Sequence, residues 1–351
     1  MIFASDTPIE GDAIRQFESV LSLPGVVAGA AFPDLHPGRG VPVGAAFRSQ
    51  GLIYPHLIGN DIGCGIALFK LDLKAHKFKV DKVLRKLADS PEELIQQAAL
   101  KLDNGQTPAG FRSALGTIGH GNHFIEFLVM EKCFDTFPKD DSVYLMVHCG
   151  SRSYGEILWR KIAASYGNSG IDPGSSDGKN YLEHSNFLIE WAKYNRALVA
   201  KALGEILRFE LTLITDSTHN GIFSENDNSF LHRKGATRVE GATPVMTAGS
   251  RGTNSYLVRA TQFEANLASI AHGCGRKWQR GDARSRLKDR YSVEALKKTP
   301  IGSWVLCPDK DTLYEEAPES YKNITTVIAD MEKLKLAAPL VKFKPLLNIK
   351  P

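Results

Sequence analysis

At 351 residues, with 43% hydrophobic and 23% charged side chains, the chain has room for a large core and the composition of an ordinary globular protein. No apolar run approaches the roughly 18 residues of a membrane helix, the N-terminus lacks the basic start and apolar stretch of an export signal, and a net charge of +4 is too small to name a partner. Five widely spaced cysteines, an odd number, point to free or metal-bound thiols in a reducing cytosol.

Residues 24–70 are rich in Gly and Pro with short apolar runs, and predict strands joined by tight loops. Residues 61–65 fall in a loop ahead of the strand-like 66–69. Ser90-Pro91-Glu92-Glu93 predicts a helix to about residue 102, with Ser90 as cap, Pro91 in the first turn and Glu93 closing a capping box. Residues 142–148 predict a buried strand that delivers His148 at its C-terminal end. A loop is expected over 168–180. Apolar residues at helical spacing (Phe187, Leu188, Trp191, Tyr194, Leu198, Leu203) then predict one long helix over 184–208. Further helices are expected at 262–271, ending at the glycines after His272, and near 325–336. With no long linker, repeat or low-complexity tract, residues 1–351 are expected to form one integrated domain.

Five clusters set His, Cys or Asp among small residues: 61–65 (DIGCG), 121–123 (GNH), 148–152 (HCGSR), 218–220 (THN) and 272–276 (HGCGR). Such ligands suit a metal centre built from several elements, because small neighbours let backbone and ligand approach closely. Asp61 and Cys64, three apart, pair a carboxylate with a thiolate that can bridge two ions. Singly, each has a bland reading. Cys64 can be a small buried residue, Asp61 can close an Asx-turn, and His123, His148 and His219 can be hydrogen-bonded core histidines. Paired Cys-x-x-Cys spacing is lacking, which favours an open catalytic site over a structural zinc. His272 on its glycine bend reads either as a covalent nucleophile, with Arg276 and Arg280 as phosphate clamps, or as a structural or ligating histidine. The loop at 249–255 has backbone N–H groups able to cradle phosphates. Between 276 and 298, nine Lys and Arg face three acidic residues, which suits a polyanion or a solvated helix face.

Taken in order, PDLHPGRGVPVGAAF, GNDIGCG, GTIGHGNHFIE, HCGSRSYG, THN, HRKGATR, AGSRGTNSYLV, HGCGRK and the terminal PLLNIKP make the chain resemble the RtcB family of RNA ligases over nearly its full length. The resemblance implies a mixed α+β fold, with β-sheets and helices packed around a central metal and nucleotide cleft. It implies GTP-dependent joining of RNA 3′-phosphate or 2′,3′-cyclic phosphate ends to 5′-hydroxyl ends, with Mn²⁺ as cofactor. Asp61, Cys64 and His123 would hold one ion, and Cys64, His148 and His219 a second. His272 would become a histidine–GMP adduct. The guanylate would be held by Asn122, His123, Phe124, Ile125, Glu126, His219, Asn220, Ala248, Gly249, Ser250, Arg251, Ser255, His272, Gly273, Cys274, Gly275 and Lys350. Arg152, Lys234 and Arg280 would meet RNA phosphate. The compact length resembles the shorter branch coupled to peptide chain release factor H, and the setting would be cytoplasmic RNA repair.

The chain departs from that pattern in places. Cys149 stands where Ser is usual, Arg251 where Met is usual, Thr247-Ala248 where Pro is common, and Pro351 where Gly is common; Ser153-Tyr154 is also unusual. None removes a ligand or the nucleophile. Alternative readings are a metal-dependent cyclic phosphodiesterase and a non-catalytic RNA-binding protein.

Overall fold

The computed structural model describes residues 1–88, 90–134, 137–226, 228–261 and 263–350, so Pro351 lies outside the described residues. Its strands are β1 (Val26–His36), β2 (Val43–Gln50), β3 (Gly65–Lys74), β4 (Phe124–Cys133), β5 (Ser142–Cys149), β6 (Leu211–Thr218), β7 (Asn220–Asn226), β8 (Ser229–Lys234), β9 (Ala236–Arg238), β10 (Val245–Thr247), β11 (Ser255–Ala260), β12 (Ser269–Ala271), β13 (Trp304–Leu306) and β14 (Ala337–Ile349). The fold is α+β, as expected. The main sheet runs β10-β11-β14-β4-β5-β3-β6, antiparallel throughout, with β13 added in parallel to β14. Its two edges nearly meet, since the Thr215 hydroxyl donates to Pro244 O just ahead of β10 (2.7 Å). A second sheet runs β1-β2-β8-β7, and β9 pairs with β12.

Alternation along the strands builds two cores from one sheet, because successive side chains leave a strand on opposite faces. On β5, Val143, Leu145, Val147 and Cys149 pack outward with Leu198, Val199 and Leu203 of the helix Ser176–Leu207. Tyr144 and Met146 face inward against Ile66, Leu68, Phe124 and Phe343. His148 continues the inward series and pairs across the ladder with Ile66 and Phe124. A separate apolar cluster lies beneath the second sheet, where Phe32, Ala46 and Leu231 meet Val327 and Met331 of the helix Ile324–Lys333.

Several expectations hold: β1, β2 and β3 fill residues 24–70 together with the short helix Pro55–Ile58, β5 delivers His148, and helices form at Pro91–Leu102 and Ile324–Lys333. The long helix starts earlier than expected, at Ser176, because the Ser175 hydroxyl accepts from Gly178 N and caps it. The Ser90 capping box is not formed. Glu92 instead accepts from Ile118 N and Gly119 N, at 2.9 and 3.0 Å, and so ties that helix to the segment leading to His123. The helix expected at 262–271 is replaced by a single 3₁₀ turn, Glu264–Asn266, and then β12; Gln262 lies outside the described residues. Asn266 closes that turn by accepting from Phe263 N and Ala268 N. Leu267 and Ala268 then take left-handed conformations (φ 49° and 45°), which no α-helix can propagate through.

Candidate metal and nucleotidyl-transfer centre

Antiparallel order explains how distant clusters meet. β3 and β4 begin at the same rim of the main sheet where β5 and β6 end, since Gly65 pairs with both Cys149 and Thr218, and Phe124 pairs with His148. Cys64, His123, His148 and His219 therefore stand at four neighbouring strand ends. His219 N donates to Cys64 O (2.8 Å) and fixes the β6 end against the Asp61–Cys64 turn.

Side chains converge there. His123 Nε2 and His148 Nε2 each lie 3.3 Å from Cys64 Sγ, His148 Nε2 lies 3.3 Å from His219 Nε2, and His123 Nε2 lies 2.8 Å from Asp61 Oδ2. Two three-ligand groups result, Asp61–Cys64–His123 and Cys64–His148–His219, each with its ligand atoms within 4.8 Å of one another. They share one sulfur. A thiolate, three imidazoles and a carboxylate form a donor set of borderline softness that fits divalent transition ions. Burial pushes His148 and His219 well below the usual histidine range, so both present neutral imidazoles. Burial and the Asp61 charge push the Cys64 thiol well above its usual range. For Asp61, burial acts upward, but His123, which bonds the carboxylate, and the Arg152 charge outweigh it and hold the carboxyl ionised.

His272 adjoins this centre without joining either group. Its ring lies 4.8 Å from that of His219. Nδ1 donates to Asp34 Oδ2 (2.7 Å), and the same oxygen accepts from His272 N and Gly273 N. Asp34 is fully buried. The bond fixes the tautomer and leaves Nε2 as the ring's available lone pair. The bend itself needs glycine, because Gly275 has φ +69° and a Cβ there would lie 2.3 Å from Asp34 O.

The remaining predicted residues divide. Glu126 is buried and accepts from Asn348 Nδ2 (3.0 Å); burial raises its carboxyl to about 8 despite Asn348 and Lys350. Phe124 stacks edge-on to His148, and Lys350 Nζ sits 5.5 Å from the Phe124 ring centre. Ile125 turns outward into the helix-side core, so only its backbone is near the centre. Asn122 lies in the turn entering β4. Asn220 braces the site, donating to Asp61 O and accepting from Gly235 N. Ala248 N donates to His272 O (3.1 Å). Cys274 is buried in the second core.

Two N–H groups of the 249–255 loop are engaged within the loop. Gly249 N donates to Ser255 Oγ (3.0 Å) and Ser250 N to Thr253 Oγ1 (2.8 Å). Arg251 is buried, donates to Leu313 O, and keeps Nε and Nη1 without a hydrogen-bond partner among the described residues. Arg152 turns inward and donates to His123 Nδ1 (3.0 Å). Lys234 lies beside Gly59, its amine lowered by burial to about 8. Arg280 packs against Gly121 and is 44% exposed on its side chain.

Two acidic residues escaped sequence reasoning. Asp34 lies 238 residues from the histidine it holds, and no spacing connects them. Glu316 gathers Arg276 (2.9 Å), Arg280 (3.2 Å) and Lys350 (3.8 Å). Burial alone would raise the Glu316 carboxyl, but those three cations hold it down at about 2. Only the excess of basic residues at 276–298 hinted that an acid must sit among them. Lys350 Nζ also donates to Gly121 O (2.9 Å) and His123 O (3.2 Å), which ties the chain's end to the β4 entry turn.

A family model described as tRNA-splicing ligase RtcB matches residues 16–105 and 90–351. RNA-splicing ligase RtcB2 of Escherichia coli is 36% identical over 360 residues, which cover 99% of this chain and 94% of that protein. RNA-splicing ligase RtcB homolog 1 of Entamoeba dispar is 28% identical, covering 96% of this chain and 81% of its own length. The tRNA-splicing ligase RtcB of Archaeoglobus fulgidus is 27% identical, covering 96% of this chain and 91% of its own.

Proposed function

The chain belongs to the RtcB family, and from that premise we propose that it is an RNA ligase. It joins a 3′-phosphate or 2′,3′-cyclic phosphate end to a 5′-hydroxyl end, using GTP and Mn²⁺. One observation carries the reading: a histidine whose Nδ1 is held by a buried carboxylate stands beside two ligand groups that share a thiolate.

Asp61, Cys64 and His123 would hold one Mn²⁺, and Cys64, His148 and His219 the other. These ions would supply positive charge against the phosphates of GTP. The chain's own part is nucleophilic. Asp34 holds the Nδ1 proton, and His272 Nε2 attacks the α-phosphorus, forming an N–P bond as pyrophosphate leaves. The guanylate passes to an oxygen of the RNA 3′-phosphate, freeing His272. The 5′-hydroxyl then attacks that phosphorus and GMP leaves. A cyclic phosphate must first be opened by water. Lys350 and the raised Glu126 carboxyl offer a donor and a proton-responsive group to the guanine, and Arg280 a cation to the RNA phosphate. The same reading takes residues 1–351 as one catalytic domain in the cytoplasm, with a link to release factor H resting on the compact length alone.

Incubation with GTP and Mn²⁺ is expected to leave acid-labile guanylate on the protein, and none on His272→Ala. An undiminished adduct on the variant would overturn the reading. No membrane-crossing helix is found among the described residues.

A further inference from the structure

Arg196, from the middle of the helix Ser176–Leu207, is fully buried and reaches through the outer core to the back of the ligand-bearing rim. Its Nη1 donates to Gly63 O (2.9 Å) and to Cys149 O (2.8 Å). Its Nε and Nη2 face Asp216 at 2.8–3.1 Å. The three partners are the immediate or near neighbours of three ligands. Gly63 precedes Cys64, Cys149 follows His148, and Asp216 on β6 lies three residues before His219. Gly65 is part of the same fit, since a Cβ there would lie 2.9 Å from Arg196 Nη2.

We infer that Arg196 is a positioning residue for one ion site in particular, the Cys64–His148–His219 group. A planar guanidinium presents donors in a fixed fork, so one side chain sets the relative height of the Cys64 turn, the β5 end and the β6 end. Lysine, a point charge on a flexible stem, cannot bond both carbonyls and Asp216 at once. The Asp61–Cys64–His123 group is braced differently. Asn220 holds Asp61 O, Arg152 holds His123 Nδ1, and Lys350 holds His123 O. Because the groups share only Cys64, loosening Arg196 disturbs one more than the other. The inference rests on the metal-centre reading above.

The test is Mn²⁺ titration of metal-stripped protein by calorimetry, with electron paramagnetic resonance to separate isolated from coupled ions. Wild type, Arg196→Lys and Asp216→Asn are compared, and thermal unfolding of the stripped proteins establishes which variants fold. Wild type is expected to bind two ions. In folded variants one ion should bind as in wild type while the second weakens about 10- to 100-fold, the usual cost of losing support behind a ligand. The spectrum should then become that of an isolated ion. Folded variants that bind both ions as wild type does, or lose both equally, overturn the inference. A wild-type chain that takes up no Mn²⁺ overturns the metal-centre reading, and this inference with it. Asp216→Asn keeps the test decisive if Arg196→Lys does not fold.

Discussion

Asp34 and His272 make the closest link between residue chemistry and activity. The carboxylate accepts hydrogen bonds from Nδ1 and two backbone N–H groups with one oxygen, so it aims the ring and, on the proposed mechanism, would favour the positive charge growing on imidazole during attack. Asp34→Asn keeps the shape but removes the charge and admits the wrong tautomer. Adduct formation should slow by about 100-fold or more, while Mn²⁺ uptake is unchanged because the bonds of Asp34 go to the His272 bend. Rapid-quench measurement of labelled guanylate checks this; a rate equal to wild type would assign the carboxylate to folding alone. At this scale the sequence was informative about which groups carry chemistry and silent about their partners. His272 could be singled out from its glycine bend, whereas Asp34 looked like any acid in a Pro-rich turn.

At the scale of elements, the strands and the bend at 272–276 deliver the groups. The β5 segment was legible as a short continuous apolar run and the helix after 184 as a long periodic one. Residues 262–271 were not, because their apolar spacing suits a helix while Asn266 and two left-handed residues commit the chain to a turn and a strand. The bend depends on Gly275. Alanine there must adopt φ +69° with its Cβ against Asp34 O, so Gly275→Ala is expected to cost about 1–3 kcal/mol in strain. It should also slow adduct formation by displacing Asp34 from His272. Urea unfolding alongside the adduct assay tests both parts, and an unstrained, fully active variant would show that the bend tolerates a side chain.

Across the whole molecule, five candidate ligands from four strand ends meet only with the main sheet in its present strand order, so metal and fold should be coupled. Stripping divalent ions is expected to lower the thermal midpoint, and Mn²⁺ at about a hundred times its dissociation constant should restore about 2.7 kcal/mol per site. Cys64→Ala removes the atom common to both groups and should abolish that response. A Cys64→Ala protein still stabilised by Mn²⁺ would return Cys64 to the role of a small buried residue. By itself the sequence determined the candidate ligand types and the family likeness, and through that likeness the α+β class and a separate role for His272, because these reside in local patterns and ordered motifs. Only the tertiary structure decided which candidate ligands pair, that Asp34 bonds His272 and Glu316 gathers three cations, and that Gly249 and Ser250 donate within their own loop. Those outcomes depend on strand order and on side-chain contacts between residues far apart in the chain, and spacing along the sequence carries no record of either.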